Sequence, residues 1–182
     1  MALGATIYKA ELQLSDMDRH HYQMHALTLA RHPSETDERM MVRLLAFALY
    51  ADDSLAFGKG ISSEDEPALW RKDLTGEVKL WIELGHPDER DIRRACGRAD
   101  DVVVVCYGGR ASDVWWQANS KGFARLKNLR VIQLPQDETR ALTALVNRNM
   151  QIQCTIQDGE LWFTSEAGEA RVIPVTLHPA AT

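Results

Sequence analysis

A chain of 182 residues, 45% hydrophobic and 26% charged, has the composition of a globular protein with a sizeable core, which excludes intrinsic disorder. Its formal net charge of -5 excludes an overall balance built for nucleic acid, so such a partner would need a local basic patch or bridging metal ions. Three scattered cysteines (Cys96, Cys106, Cys154) exclude a disulfide framework; with no apolar run long enough to cross a bilayer and no secretory pattern, a cytoplasmic location and no membrane partner are expected.

Residues 5–14 alternate, with Tyr8, Ala10, Leu12 and Leu14 set against Ile7, Lys9, Glu11 and Gln13, which is the pattern of a half-buried strand. Asp16-Met17-Asp18 turns the chain, and residues 21–30 return as a second strand with Tyr22, Met24, Ala26 and Thr28 on one face. His20, His21 and His25 read as solvated hairpin residues, because a strand sends His20 and His21 to opposite faces and no cysteine stands at zinc-finger spacing. Ser34 then caps a helix that runs to about Tyr50. Glu35 and Asp37 fall in its first turn, where the dipole favours negative charge, and Met41, Val42, Leu45 and Leu49 make its core stripe.

Residues 52–66 form an irregular connection containing Gly58 and Gly60. Residues 68–72 and 79–84 read as two strands joined by a turn at Thr75-Gly76. Pro87 opens a helix with Asp88 and Glu89 in its first turn and an apolar stripe of Ile92, Ala95, Cys96 and Ala99. The unbroken β-branched run in 101–107 predicts a strand covered on both faces, and Cys96 and Cys106 read as small buried hydrophobes. Ser112 is expected to cap a short helix that carries Trp115 and Trp116 and closes at Gly122. A buried strand at 129–134 and a helix at 137–149 follow. The tail adds a hairpin, 151–156 with 161–164, turned at Asp158-Gly159 in the type I′ manner, and a last strand at 171–177. The expected fold is α+β in a single domain over residues 1–182: a central mixed β-sheet flanked by helices, with hairpins from both termini available to form a second sheet.

Carboxylates carry the chemistry. Glu83 shares its strand face with Trp81 and Gly85 while Ile82 and Leu84 face the other way, so a central strand and a covered acid are expected. A covered carboxylate needs a partner or a cation. The plain alternatives are an edge strand, or an ion pair with Arg93 or Arg94 of the next helix. A turn at Thr75-Gly76 sets Glu83 opposite Ala68 and makes Glu66 its diagonal neighbour, about 7–8 Å away between α-carbons. Two acids on one sheet face can bind a hard divalent cation through oxygen, although Glu64-Asp65-Glu66 also reads as an acidic solvated loop. Glu38 stands at the head of its helix's apolar stripe, placed to look inward, with capping support as the commoner role for such an acid.

The order of these elements resembles the core of the PD-(D/E)XK nuclease superfamily, a restriction-endonuclease-like fold. More closely, the chain resembles the YaeQ family. Ala5-Thr6-Ile7-Tyr8-Lys9-Ala10, Leu29-Ala30-Arg31-His32-Pro33-Ser34-Glu35-Thr36 and Asp65-Glu66-Pro67 carry that resemblance in the first half. Leu80-Trp81-Ile82-Glu83-Leu84-Gly85, Pro87-Asp88-Glu89-Arg90 and Thr155-Ile156-Gln157-Asp158-Gly159 carry it in the second. The superfamily likeness implies Glu38, Glu66 and Glu83 as magnesium ligands, with Asp65 as the alternative to Glu66. The metal would lower the pKa of a bound water and stabilise charge during in-line attack. The pattern departs where its lysine belongs, because this chain has Gly85 there. Lys79 shares the face but at about 3.3 Å per residue lies roughly 13 Å away. Arg93 or Arg94 could replace the charge, in an electrostatic role only.

Two functions follow as expectations. One is a magnesium-dependent nuclease acting on DNA or RNA. The other is a non-catalytic nucleic-acid- or protein-binding module on a degenerate nuclease fold, acting in transcription or repair. Arg110, Lys121, Arg125, Lys127 and Arg130 give the chain its densest positive charge and mark a phosphate-contacting surface. Trp115 and Trp116 offer a base-stacking platform, but adjacent helical positions diverge by about 100°, so at least one is expected in the core. Nothing in the sequence sets an oligomeric state.

Overall fold

A computed structural model describes residues 4–59 and 65–178. In chain order its elements are β1 (Thr6–Asp16), β2 (His21–Arg31), α1 (Asp37–Tyr50), β3 (Leu55–Phe57), β4 (Leu69–Lys72), β5 (Val78–Leu84), α2 (Glu89–Arg98) and β6 (Ala99–Cys106). There follow α3 (Arg110–Phe123), β7 (Leu129–Gln133), α4 (Gln136–Thr143), β8 (Asn149–Gln157), β9 (Glu160–Ser165), β10 (Gly168–Val172) and β11 (Val175–His178). Contacts divide the chain into two compact units, one of Met1–Ala51 with Asp137–Pro174, the other of Asp52–Gln136 with Val175–Thr182. The α+β expectation holds, with two mixed sheets.

The first unit holds the sheet β10-β9-β8-β1-β2. The hairpins from the two termini meet there, β1 lying parallel to β8. Period-2 patterning becomes a one-sided core: Tyr8, Ala10, Leu12, Leu14, Met150, Ile152, Cys154, Ile156, Leu161 and Phe163 are buried, and their alternates face water. Asp158 and Gly159, both at positive φ (53° and 77°), make the expected tight turn. His25 departs from expectation. It is buried, stacked on His21 with Nε2 atoms 2.9 Å apart and set edge-on to Phe47, because its face of β2 points inward.

α1 also starts later than the sequence suggests. Thr36, not Ser34, is the N-cap, accepting the Arg39 N–H at 3.1 Å. Glu35 therefore precedes the helix instead of sitting in its first turn, and it is buried. Its carboxylate receives Arg39 and Arg43, the latter at 2.6 and 3.0 Å, while Arg43 also donates to the Ala30 carbonyl. α1 is buried all round from Met40 to Ala48, more than a single stripe.

The second unit holds the sheet β11-β7-β6-β5-β4-β3. β5, β6 and β7 run parallel, joined by the crossovers α2 and α3, while β3, β4 and β11 pair antiparallel. Both helices cover the same sheet face: Ile92 and Ala95 of α2 and Phe123 of α3 pack with Trp81, Val102, Val104 and Val131. Val102 to Cys106 are all buried, as the β-branched run requires of a strand covered on both faces.

Three other boundaries move. Gly109, at φ 63°, caps α3, and Ser112 lies buried inside it. α4 is shorter than residues 137–149, giving way to turns before β8. The expected last strand is two strands in different sheets, β10 and β11, separated by Ile173-Pro174; proline has no N–H for the ladder, and the Ile173 N–H goes to Glu138 Oε1. Residues 52–66 are not wholly irregular, since β3 forms within them; Gly60 and Glu64 lie outside the described residues.

Candidate functional site

The hairpin that positions Glu83 has the expected register. Leu69 pairs with Ile82, Trp70 with Trp81 and Arg71 with Leu80. A register shift between Arg71 and Lys72 leads into the turn, where Asp73 accepts the N–H groups of Thr75 (2.8 Å) and Glu77 (3.0 Å) and the Thr75 hydroxyl (2.6 Å). The Thr75 hydroxyl above all holds the Asp73 carboxyl below its ordinary value. Lys79 bridges Asp73, Glu77 and Asp100, so its ammonium belongs to the turn end of the strand; bonding to Glu77 first, then Asp100, pushes its pKa up.

At the other end of β5, Glu83 is 8% exposed, and the Trp81 indole donates to its Oε1 at 2.9 Å. This donor was legible in principle: an indole two residues back on a strand shares the acid's face. Trp81 is itself held edge-on by Trp70, ring centroids 5.9 Å apart. Gly85 carries φ 86° and donates its N–H to the Val105 carbonyl at 2.9 Å. The lysine position of the nuclease pattern is thus a left-handed turn residue, and any side chain there would strain the backbone.

Glu66 is half-buried and accepts the Lys59 N–H at 3.2 Å, which turns its carboxylate toward the chain after β3; Asp65 is exposed. Glu38 is a half-buried first-turn residue of α1 and belongs to the first unit, whereas Asp65, Glu66 and Glu83 belong to the second. Among the described residues no three His, Cys, Asp or Glu side chains are gathered so as to hold a metal ion.

The expected cations separate into two kinds. Arg93 is engaged by Glu89 (2.7 and 3.0 Å) and the Gly122 carbonyl, and Arg94 stands 3.7 Å from Asp91. Arg110, Lys121, Arg125 and Lys127 are exposed and form no ion pair among the described residues. Arg130, also exposed, reaches the Thr176 hydroxyl at 3.5 Å. Residues 125–130 follow α3 at the N-terminal end of β6 and β7, anchored where the Asn128 side chain donates to the carbonyls of Cys96 and Ala99 and its carbonyl accepts from Val102. Glu83 lies at the C-terminal end of β5. Across the 14 residues of α3, about 21 Å long, the acid and most of the basic segment sit at opposite ends of the parallel strands; Arg110 alone of the named cations starts α3 at the Glu83 end.

Neither tryptophan of α3 is a free platform. Trp115 donates to the Pro87 carbonyl at 2.8 Å and lies against His86 and Phe123, and Trp116 packs on Phe123. No helix among the described residues is long and apolar enough to cross a membrane.

A sequence model of the YaeQ protein family matches residues 1–174. An uncharacterised YaeQ protein of Salmonella typhi is 50% identical over 165 residues, covering 90% of this chain and 91% of that one. One from Escherichia coli K12 is 46% identical over 173 residues, covering 94% and 95%. Crystal structures of YaeQ proteins superpose along nearly the whole chain. That from Xanthomonas axonopodis pv. citri has TM-score 0.93 at 52% identity, covering 98% and 99%; that from Pseudomonas syringae has TM-score 0.91 at 38% identity, covering 96% and 97%.

Proposed function

The chain belongs to the YaeQ family, and from that premise we propose that it is a non-catalytic nucleic-acid-binding module on a nuclease-like fold. The observation that carries this reading is the run of exposed cations Lys121, Arg125 and Lys127, which form no ion pair among the described residues of a chain of net charge -5. Exposed cations gathered at the end of α3 and in the connection to β7 are what phosphate contacts require, and each contact releases counterions. Support also comes from Gly85, whose φ of 86° stands where a nuclease of this pattern needs its lysine.

The test is fluorescence anisotropy with single- and double-stranded DNA and RNA at two salt concentrations. Replacing Lys121, Arg125 and Lys127 together by Glu should weaken binding at least tenfold and flatten the salt dependence by about 0.7–0.9 per lost contact. No saturable binding to any of these by the unaltered protein would defeat the proposal.

A second reading, a magnesium-dependent phosphodiesterase acting on DNA or RNA, is favoured by the burial of Glu83 at the C-terminal end of a central strand. It predicts cleavage of nucleic acid with magnesium or manganese that Glu83→Gln abolishes. Cleavage unaffected by that substitution would point to a contaminant.

A further inference from the structure

Among the described residues the two sheets end in four edge strands, and three are blunted in the ways that keep edges from pairing. β3 has three residues. β11 has four, begins directly after Pro174 and shifts register between Thr176 and His178. β10 has five, begins at Gly168 and carries Glu169 and Arg171. β2 has none of these devices. It is 11 residues long and pairs with β1 at every position without a bulge. It contains no proline and no Asp, Glu or Lys, and its arginine is its last residue. Its outward side chains are exposed, with Tyr22 60% and Met24 49% exposed and Ala26, Thr28 and Ala30 also exposed.

We infer that β2 is the surface through which two copies of this chain associate, antiparallel and centred on Ala26, joining two five-stranded sheets into one. A two-fold axis brings the same edge against itself. Two copies of an 11-residue strand overlap completely only when the middle residue faces itself, and the middle of His21–Arg31 is Ala26. In that register Met24 faces Thr28 and Tyr22 faces Ala30, so each large exposed side chain meets a small one. No position from Tyr22 to Ala30 sets two carboxylates or two lysines opposite each other. At the Arg31 end the Ala30 carbonyl already accepts from Arg43 at 3.1 Å, which centres the new ladder on residues 24–28. A second copy is the occupant because this large-to-small pattern is complementary to itself; an unrelated strand has no reason to match it.

Analytical ultracentrifugation of the full chain tests this. The unaltered protein should sediment at twice its 20.5 kDa mass, with a concentration-dependent monomer fraction. Met24→Glu with Thr28→Glu places like charges opposite in both symmetric pairs and should give a monomer with unchanged circular dichroism. Met24→Glu with Thr28→Lys places opposite charges there and should restore the dimer. Directly opposed α-carbons about 4.5–5.5 Å apart fall in disulfide range, so Ala26→Cys should give a covalent dimer on oxidation. That crosslink decides the matter if the paired glutamates prevent folding. A monomer at every concentration overturns the inference, including the case in which the edge captures a foreign peptide instead. So does a dimer that survives the paired glutamates, or an oxidised Ala26→Cys protein that stays monomeric.

Discussion

The five-stranded sheet keeps one face in water, whereas the strands at the centre of the six-stranded sheet keep neither. Along β1 and β8 burial alternates residue by residue, but Leu80 to Leu84 of β5 and Val102 to Cys106 of β6 are buried without a break. Connectivity accounts for one of the two covered faces: the parallel neighbours β5, β6 and β7 are joined by the crossovers α2 and α3, and both helices lie on the same face of the six-stranded sheet. The two units also house their buried acids differently: Glu35 sits among guanidinium groups, and Glu83 receives an indole N–H beside a helix-covered core. The difference teaches where stability resides. One unit rests on a single packed face and a buried charge cluster, the other on layered apolar contact.

The sharpest test of that contrast removes one large ring from each unit. Phe123 is fully buried among Trp115, Trp116 and the β6 valines, so Phe123→Ala should cost about 3–5 kcal/mol in urea unfolding. Trp162 is larger but lies 46% exposed on the open face of the five-stranded sheet, stacked only under Arg171 at 4.5 Å. Trp162→Ala should cost about 1 kcal/mol or less. Equal losses would break the comparison. Next in size is the charge cluster of the first unit. Glu35→Ala leaves the Arg43 guanidinium buried without its carboxylate and should cost about 3–5 kcal/mol, close to the Phe123 loss. Replacing both partners, Glu35→Leu with Arg43→Met, should recover most of it, because the buried guanidinium leaves together with its carboxylate.

The same contrast governs what the sequence made legible. Alternation in residues 6–16 and 149–157 reads directly as one-sided strands, and the valine run reads as a strand covered on both faces, because side-chain period reports burial. The register of the β4–β5 hairpin followed from the turn at Thr75-Gly76, and the pairs Leu69–Ile82, Trp70–Trp81 and Arg71–Leu80 keep it. What failed were choices among neighbouring polar residues. Ser34 and Thr36 are equally good caps, and only the buried pairing of Glu35 with Arg43 selects the later one. The break at Pro174 was visible as a proline, but its reassignment to a second sheet depends on long-range pairing that no local pattern encodes. For the candidate site, Glu83 was recognisable as a covered acid, but its Trp81 donor was overlooked. The pairing of Glu66 with Glu83 was argued from hairpin register and the addition of Glu38 as a third magnesium ligand from resemblance, and the described residues gather no such group. The opposed placement of Glu83 and residues 125–130 follows from strand direction, which becomes certain only when β5, β6 and β7 prove parallel.

A smaller effect is expected where Glu83 meets Trp81. Trp81→Phe retains most of the ring's contact with Val102 and Val104 but deletes the N–H that Oε1 accepts. Losing one donor to a buried carboxylate should cost about 1–3 kcal/mol, less than removing Phe123 outright. Urea unfolding measures it, and Trp81→Phe with Glu83→Gln should restore part of the loss, since a neutral amide is cheaper to bury. A loss as large as that of Phe123→Ala would mean that the indole bond, and not the layered packing, dominates this end of the sheet.

The last test leaves stability untouched at neutral pH and reads the two sheets through their thiols. Burial pushes Cys96 on α2 up to about 11 and Cys154 on β8 up to about 12; it also raises Cys106 on β6, whose thiol donates to the Ile132 carbonyl at 3.4 Å. With a value near 11, only about one Cys96 in a thousand is thiolate at pH 8, so its reaction with a disulfide reagent should speed about tenfold per pH unit until roughly pH 11. The sign for stability is the reverse. An unfolded cysteine ionises near 9.0, so between that value and the raised folded one the unfolded chain binds fewer protons, and stability falls as pH rises. Cys96 is half-buried and should react first at any pH. Cys106 and Cys154 are covered and should react only when their own sheets open, so their rates report the six-stranded and five-stranded units separately. If the one-sided sheet is the less protected, Cys154 labels before Cys106, and Phe123→Ala reverses that order by loosening the layer over β6.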